Sequence, residues 1–385
     1  MKKIYLDNAA TTRTDPEAVK AMIPYFSDIY GNPSSIHSFG QEAKNAMEHS
    51  RLIAADFINA SPEEIIFTGS GTESDNLAIK GVAYANGFKK THIITSAIEH
   101  HAVLESCHNL EKSGFKISYV PVDSYGFVKL DDIKKAISKN TLLISIMHAN
   151  NEIGTIQPVE EIGKIARENN IYYHMDAVQT FGHINIDVDK IGVDLLSASA
   201  HKLYGPKGVG LLYKRKGVKI SPIITGGSQE YKLRASTENV PGIVGFGKAI
   251  ELSKILMENE IAVQTELRDK FIKGVNENIK NAFLNGHPAS RLPNNINFSF
   301  DFIEGEGILM GLDMEGIAAS TGSACSSGIM EPSYVIKAIG RNSVLARGSV
   351  RFSLGRFNTE DEIAYALKTL IKLVKRLRKI SPLIK

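Results

Sequence analysis

Ser197-Ala198-Ser199-Ala200-His201-Lys202-Leu203-Tyr204-Gly205-Pro206-Lys207-Gly208 is the stretch from which this chain is best read. It runs out of an apolar segment that reads as a strand and presents one lysine among small residues at the strand's end. Upstream, His174-Met175-Asp176-Ala177-Val178-Gln179 closes a second apolar run with an aspartate. A lone lysine in a glycine-rich turn is ordinarily a solvated residue. An aspartate at one strand end and a lysine at a later one instead suit pyridoxal phosphate (PLP). The lysine amine holds the cofactor aldehyde as a Schiff base, and the aspartate keeps the pyridine nitrogen protonated. That pairing points to carbanion chemistry on an amino acid.

Outward from this stretch, short apolar or β-branched runs alternate with amphipathic segments. Residues 65–68, 92–95, 142–146, 171–174 and 209–213 read as strands buried on both faces. Ala43, Met47, Ala54, Phe57 and Ile58 fall on one stripe of an intervening helix. The rhythm predicts an α/β domain with a mostly parallel sheet flanked by helices. Beyond about residue 240 the character changes. Residues 245–279 read as one long helix, 295–300 and 349–353 as strands, and 361–379 as a closing helix.

Composition excludes several classes. A net charge of +3 over 385 residues gives no nucleic-acid footprint. The basic run at residues 372–379 reads as a solvated helix end, where cations complement the dipole. No apolar stretch reaches the roughly 18 residues of a membrane span. Met1-Lys2-Lys3-Ile4 does not open a signal peptide. Two cysteines far apart, Cys107 and Cys325, make a disulfide framework improbable, so a reducing cytoplasm is expected.

Four further segments carry chemistry. Gly69-Ser70-Gly71-Thr72-Glu73-Ser74 joins a strand to a helix predicted over 75–84. Such a turn is a helix cap, and it also offers free amides to an anion, here a cofactor phosphate. Glu99-His100-His101 follows another strand, where a histidine can stack on a pyridine ring. His100, His101, Cys107 and His108 lack the regularity of a metal-ligand set, and no metal is expected. Asn150-Asn151-Glu152 closes a strand and offers amides to a cofactor or a substrate carboxylate, although asparagine also favours plain turns. Arg351, on a late strand, suits bidentate capture of an α-carboxylate. Thr321-Gly322-Ser323-Ala324-Cys325-Ser326-Ser327-Gly328 surrounds a cysteine with small residues, which fits either an exposed loop thiol or a nucleophile. Cys107, among Val103, Leu104 and Leu110, reads as core.

Taken together, these motifs resemble the NifS/IscS-type cysteine desulfurases, class V aminotransferases of PLP fold type I. The resemblance also includes Tyr5-Leu6-Asp7-Asn8-Ala9-Ala10-Thr11-Thr12, Gly31-Asn32-Pro33-Ser34-Ser35, Gly226-Gly227-Ser228-Gln229-Glu230 and Arg351-Phe352-Ser353-Leu354-Gly355-Arg356. It implies a large PLP-binding domain over 13–250, with a mostly parallel, mixed seven-stranded sheet. It implies a small α/β domain from 1–12 and 251–385, bearing Cys325 on a long, mobile loop.

The resemblance also implies roles. Lys202 binds PLP and moves the Cα proton, while His100 stacks on the ring and acts in proton transfer. Asp176 pairs with the ring nitrogen and Gln179 contacts the ring hydroxyl. Thr72, Ser199 and His201 hold the phosphate, with backbone help near Gly71 and Ala200. Asn151 and Arg351 orient the substrate, and Cys325 attacks its sulfur. Thr237 reaches the phosphate of a partner subunit, which implies a homodimer. One position departs from the family pattern: Arg234-Ala235-Ser236-Thr237 has serine where a glycine is usual, and a positive φ there would strain the turn.

The expected activity is release of L-alanine from L-cysteine, leaving a Cys325 persulfide for an iron–sulfur scaffold protein or a tRNA-thiolation acceptor. Cys325 could also ligate a transferred iron–sulfur cluster. A selenocysteine lyase would use the same site. A class V aminotransferase would not need Cys325, and a sulfur-carrier or assembly scaffold would need no catalysis.

Overall fold

The computed structural model describes residues 3–321 and 332–382, so Cys325 lies outside the described residues. The strands in chain order are β1 (Ile4–Tyr5), β2 (Ile65–Thr68), β3 (His92–Ser96), β4 (Lys116–Val120), β5 (Thr141–Ser145), β6 (Tyr172–Asp176), β7 (Leu195–Ser199), β8 (Gly210–Lys214), β9 (Ala282–Leu284), β10 (Asn295–Phe300), β11 (Ile317–Ala318) and β12 (Ser349–Ser353).

Seven of these build one sheet in the order β2-β8-β7-β6-β5-β3-β4. The pairs from β7 through β4 are parallel, and β8 runs antiparallel to both β2 and β7. The sheet is therefore mixed, as expected. Every residue of β2, β3, β5 and β7 is buried, because helices cover both faces. β4 was not anticipated. It is an edge strand with a partly exposed Lys-Ile-Ser-Tyr-Val sequence, so its apolar signal is diluted.

Residues 240–278 form a single helix, which starts earlier than expected because Asn239 caps it and Pro241 occupies its first turn. Its first half, through Ile243, Phe246 and Ile250, packs into the core of the large sheet. Its second half, through Leu267, Phe271 and Val275, packs with β10, β12 and the helix Glu360–Ile380 in a second core. Ile4 and Leu6 of the N-terminal segment join this second core, where β1 pairs with β11. No helix among the described residues is long and apolar enough to cross a membrane.

Candidate active site

The C-terminal ends of the parallel strands open onto a cavity of about 270 Å³, where open α/β sheets bind ligands. β6 delivers Asp176, and β7 delivers Ser199. A tight turn, Ala200–Lys202, then turns Lys202 into the same space. The helix Gly71–Ala85 starts four residues earlier than the sequence suggested, because Ser70 caps it by accepting the Glu73 amide at 3.1 Å. Gly71 and Thr72 thus occupy its first turn, where backbone amides have no intrahelical acceptor. A Cβ on Gly71 would come within 2.6 Å of Val178 Cγ2, so only glycine fits there.

The cavity brings together His100, Gly71, Thr72, Asn151, Asp176, Gln179, Ser199, His201, Lys202 and Arg351. Two expected residues are elsewhere. Ala200 is fully buried behind the lysine, its amide donating to the Val209 carbonyl, and contributes no cavity surface. Thr237 is exposed and away from this cavity. Of the two adjacent asparagines, Asn150 is consumed locally: its amide donates to the Ile98 carbonyl and its oxygen accepts from Glu152 and Ile153. Asn151 faces the cavity with a buried, unpartnered Oδ1.

The N-terminal segment closes the site, which its sequence alone did not indicate. Lys202 Nζ donates to the Ala9 and Ala10 carbonyls at 2.6 and 2.7 Å, and Gln179 donates to Ala9 at 3.0 Å. Thr11 Oγ1 lies 3.1 Å from His201 Nδ1, and Asp7 accepts from Arg351 Nη2 at 2.9 Å. The other Arg351 terminal nitrogen donates to the Asn151 carbonyl at 2.9 Å, leaving Nε buried and unpartnered. The usable signal was Ala9-Ala10, a pair small enough to let backbone approach a lysine amine.

Burial sets the protonation states. Asp176 accepts the Val178 amide at 2.9 Å, yet desolvation pushes its carboxyl up to about 6. Desolvation and the Lys202 charge hold both His100 and His201 down at about 4, so both are neutral at pH 7. His100 Nδ1 accepts the Ala102 amide at 3.1 Å, which places the neutral ring's proton on Nε2. In this tautomer His100 donates at Nε2 and is not the base.

Ser236 has φ +96°, the positive value at which serine in place of glycine is strained. Ser236→Gly is expected to stabilise the fold by about 1 kcal/mol, since relief of strain outweighs the added chain entropy. Urea unfolding of the two proteins measures it. The preceding Gly226–Glu230 motif is structural: Glu230 makes a buried pair with Arg51 at 2.6 Å and accepts the Phe67 amide at 2.7 Å.

A lysine, an aspartate and an amide-lined helix start, gathered at the strand ends of this sheet, define a PLP-type active site on an α/β scaffold. Residues 4–365 match the aminotransferase class-V family model, and the chain belongs to that family. It is 58% identical to a cysteine desulfurase IscS of Dictyoglomus turgidum, over 99% of this chain and 97% of that protein. It is 54% identical to a cysteine desulfurase IscS of Methanosarcina thermophila, covering 99% and 94%. Among solved structures, a NifS-like protein matches with TM-score 0.92 and 42% identity, covering 98% of this chain and all of that one. SspA in complex with cysteine matches with TM-score 0.82 and 39% identity, covering 93% and 100%. The fold is therefore PLP fold type I.

The residues present suit PLP. Ser199 Oγ is buried and unpartnered beside the Gly71 cradle, as an anion-binding hydroxyl would be. Asp176 lies in the same cavity as Lys202, so a ring nitrogen and an aldehyde can be engaged together.

Proposed function

We propose that this chain is a PLP-dependent cysteine desulfurase whose cavity residues divide the work as follows. The reading is carried by one observation: Asp176, Ser199 and Lys202, from the ends of the neighbouring strands β6 and β7, and Arg351, from the distant strand β12, converge on one cavity. It is supported by 46–58% identity to proteins named cysteine desulfurase.

Bound PLP supplies an electron sink that delocalises charge from the substrate's Cα. Gly71, Thr72, Ser199 and His201 hold its phosphate, Asp176 faces its ring nitrogen, and Gln179 reaches its hydroxyl. Arg351 and Asn151 orient the carboxylate of L-cysteine. Lys202 takes the Cα proton, and neutral His100 donates from Nε2. The Cys325 thiolate attacks the substrate sulfur. An S–S bond forms, the Cβ–Sγ bond breaks, and its electron pair stays on the carbon side. Cβ is then protonated, and L-alanine leaves. The persulfide passes to an acceptor such as an iron–sulfur scaffold protein.

The chain is further proposed to divide into a large unit over 13–250 and a small one from 1–12 and 251–385. That division is in keeping with the separate hydrophobic clusters around Phe246 and around Phe271. A homodimer is supported by Ile23, Phe26, Tyr30, Ile36 and Phe39, all more than half exposed within one stretch. The exposed Thr237 would then serve the neighbouring subunit's phosphate. The proposed location is the cytoplasm.

Purified protein is expected to release alanine from cysteine and to carry sulfur that dithiothreitol discharges. A Cys325→Ala variant that still transfers sulfur to an acceptor at the full rate would overturn the persulfide role. Retained transamination in that variant would instead favour an aminotransferase.

A further inference from the structure

Four polar side chains, three from the sheet and one from a helix packed on it, lie buried beside Asp176, and the reaction above uses none of them. Ser145, His174 and Ser197 sit on adjacent strands β5, β6 and β7, with Ser145 in register with His174 and Ser197 with Asp176. Ser145 Oγ meets His174 Nδ1 at 2.8 Å, and His174 Nε2 meets Ser197 Oγ at 3.0 Å. Asp75 reaches this chain from the helix Gly71–Ala85, its Oδ1 3.6 Å from His174 Nε2. All four residues are at most 1% exposed, and Asp75 also lines the cavity.

Among the described residues no cation neutralises a charge on Asp75, and burial outweighs the Ser197 hydrogen bond that favours its ionised form. Its one ion-pair partner among the described residues is His174, and desolvation holds that imidazole neutral, down at about 3. The other titratable groups acting on Asp75 are two carboxyls, Asp176 from β6 and Glu99 from the loop after β3. Glu99 is itself pushed up to about 8 by burial. Asp75 Oδ1 has no hydrogen-bond partner among the described residues. A buried carboxyl lacking a cation and facing a second carboxylate keeps its proton. Asp176 differs, because the Val178 amide and the Lys202 charge both favour its ionised form.

We infer that Asp75 is a positioning residue held as a neutral acid, hydrogen-bonded into the Ser197–His174–Ser145 chain, so that Asp176 alone carries the negative charge offered to the cofactor's ring nitrogen. The inference rests on the PLP reading above. It assigns the site a carboxyl pair with one shared purpose: one member stays charged because the other does not.

Infrared spectra of the holoenzyme at pH 7, repeated after the cofactor is stripped, test it. Asp75→Asn is expected to remove a protonated-carboxyl C=O band in both forms, and loss of a carboxylate band instead would overturn the inference. PLP binding gives a second readout. Asp75→Ala, which leaves the buried chain short of a partner, is expected to weaken PLP about tenfold. Asp75→Asn, which mimics a neutral acid, is expected to restore binding to within about threefold of wild type. An Asn variant as weak as the Ala variant would show that the charge matters and would sink the idea. If wild-type protein bound no PLP, the reading of the site would fail, while the infrared band of the stripped chain would still report the state of Asp75.

Discussion

Lys202→Ala is expected to lower alanine release from cysteine by about 10⁴-fold, because this one side chain is proposed to supply both the cofactor anchor and the proton acceptor. The absorption near ~420 nm expected of a lysine-bound PLP should vanish in the same variant. Among the described residues no neighbour is equipped to take over. His100 is neutral at pH 7, but its Nδ1 lone pair is occupied by the Ala102 amide and its proton sits on Nε2. His201 is also held neutral, and its Nδ1 faces Thr11. His183 is committed to the Lys202 carbonyl at 2.8 Å. A residual rate above about one hundredth of wild type would mean that another group moves the Cα proton. Lysine also anchors the N-terminal segment through Ala9 and Ala10. Circular dichroism and unfolding midpoints should therefore accompany the assay, to separate lost chemistry from a loosened segment.

Arg351→Ala is expected to raise KM for cysteine about 100-fold, the consequence of deleting one partner of a buried, hydrogen-bonded charge set. Arg351 is 3% exposed, and its terminal nitrogens are held by Asp7 and by the Asn151 carbonyl. The guanidinium is thereby fixed at the cavity wall, with Nε buried and without a partner among the described residues. Arg351→Lys should recover only part of the loss, since a lysine is a point charge and cannot satisfy two protein acceptors and a substrate at once. The cofactor absorption should persist in both variants, because Arg351 is proposed to hold the substrate and not PLP. An unchanged KM would reassign Arg351 to holding Asp7 and the N-terminal segment in place.

Much of this site was legible in the residues because its chemistry depends on residue type at strand ends. Lys202, Asp176, Gln179, His100 and the Gly71-Thr72 turn each follow a continuous apolar run, and a buried parallel strand announces itself by such a run. The edge strand β4 does not, being partly exposed. Ser236 shows a different kind of legibility: the departure from glycine was visible in the sequence, and the backbone at φ +96° supplies its cost.

The sequence by itself determined the alternation of strands and helices, a lysine and an aspartate at neighbouring strand ends, and the lone cysteine among small residues. Those properties are local: a period, a residue type, a turn. Only the tertiary structure decided that β8 runs antiparallel, that Asn150 is structural while Asn151 faces the cavity, and that Asp7 to Thr11 fold over Lys202, His201 and Arg351. It alone placed Asp75 beside Asp176 with no cation among the described residues to neutralise it. Apart from the β7–β8 pairing, these features join residues about 100 to 340 positions apart or turn on which way a side chain faces. Burial and hydrogen-bond competition settle them, and both exist only once the chain has packed.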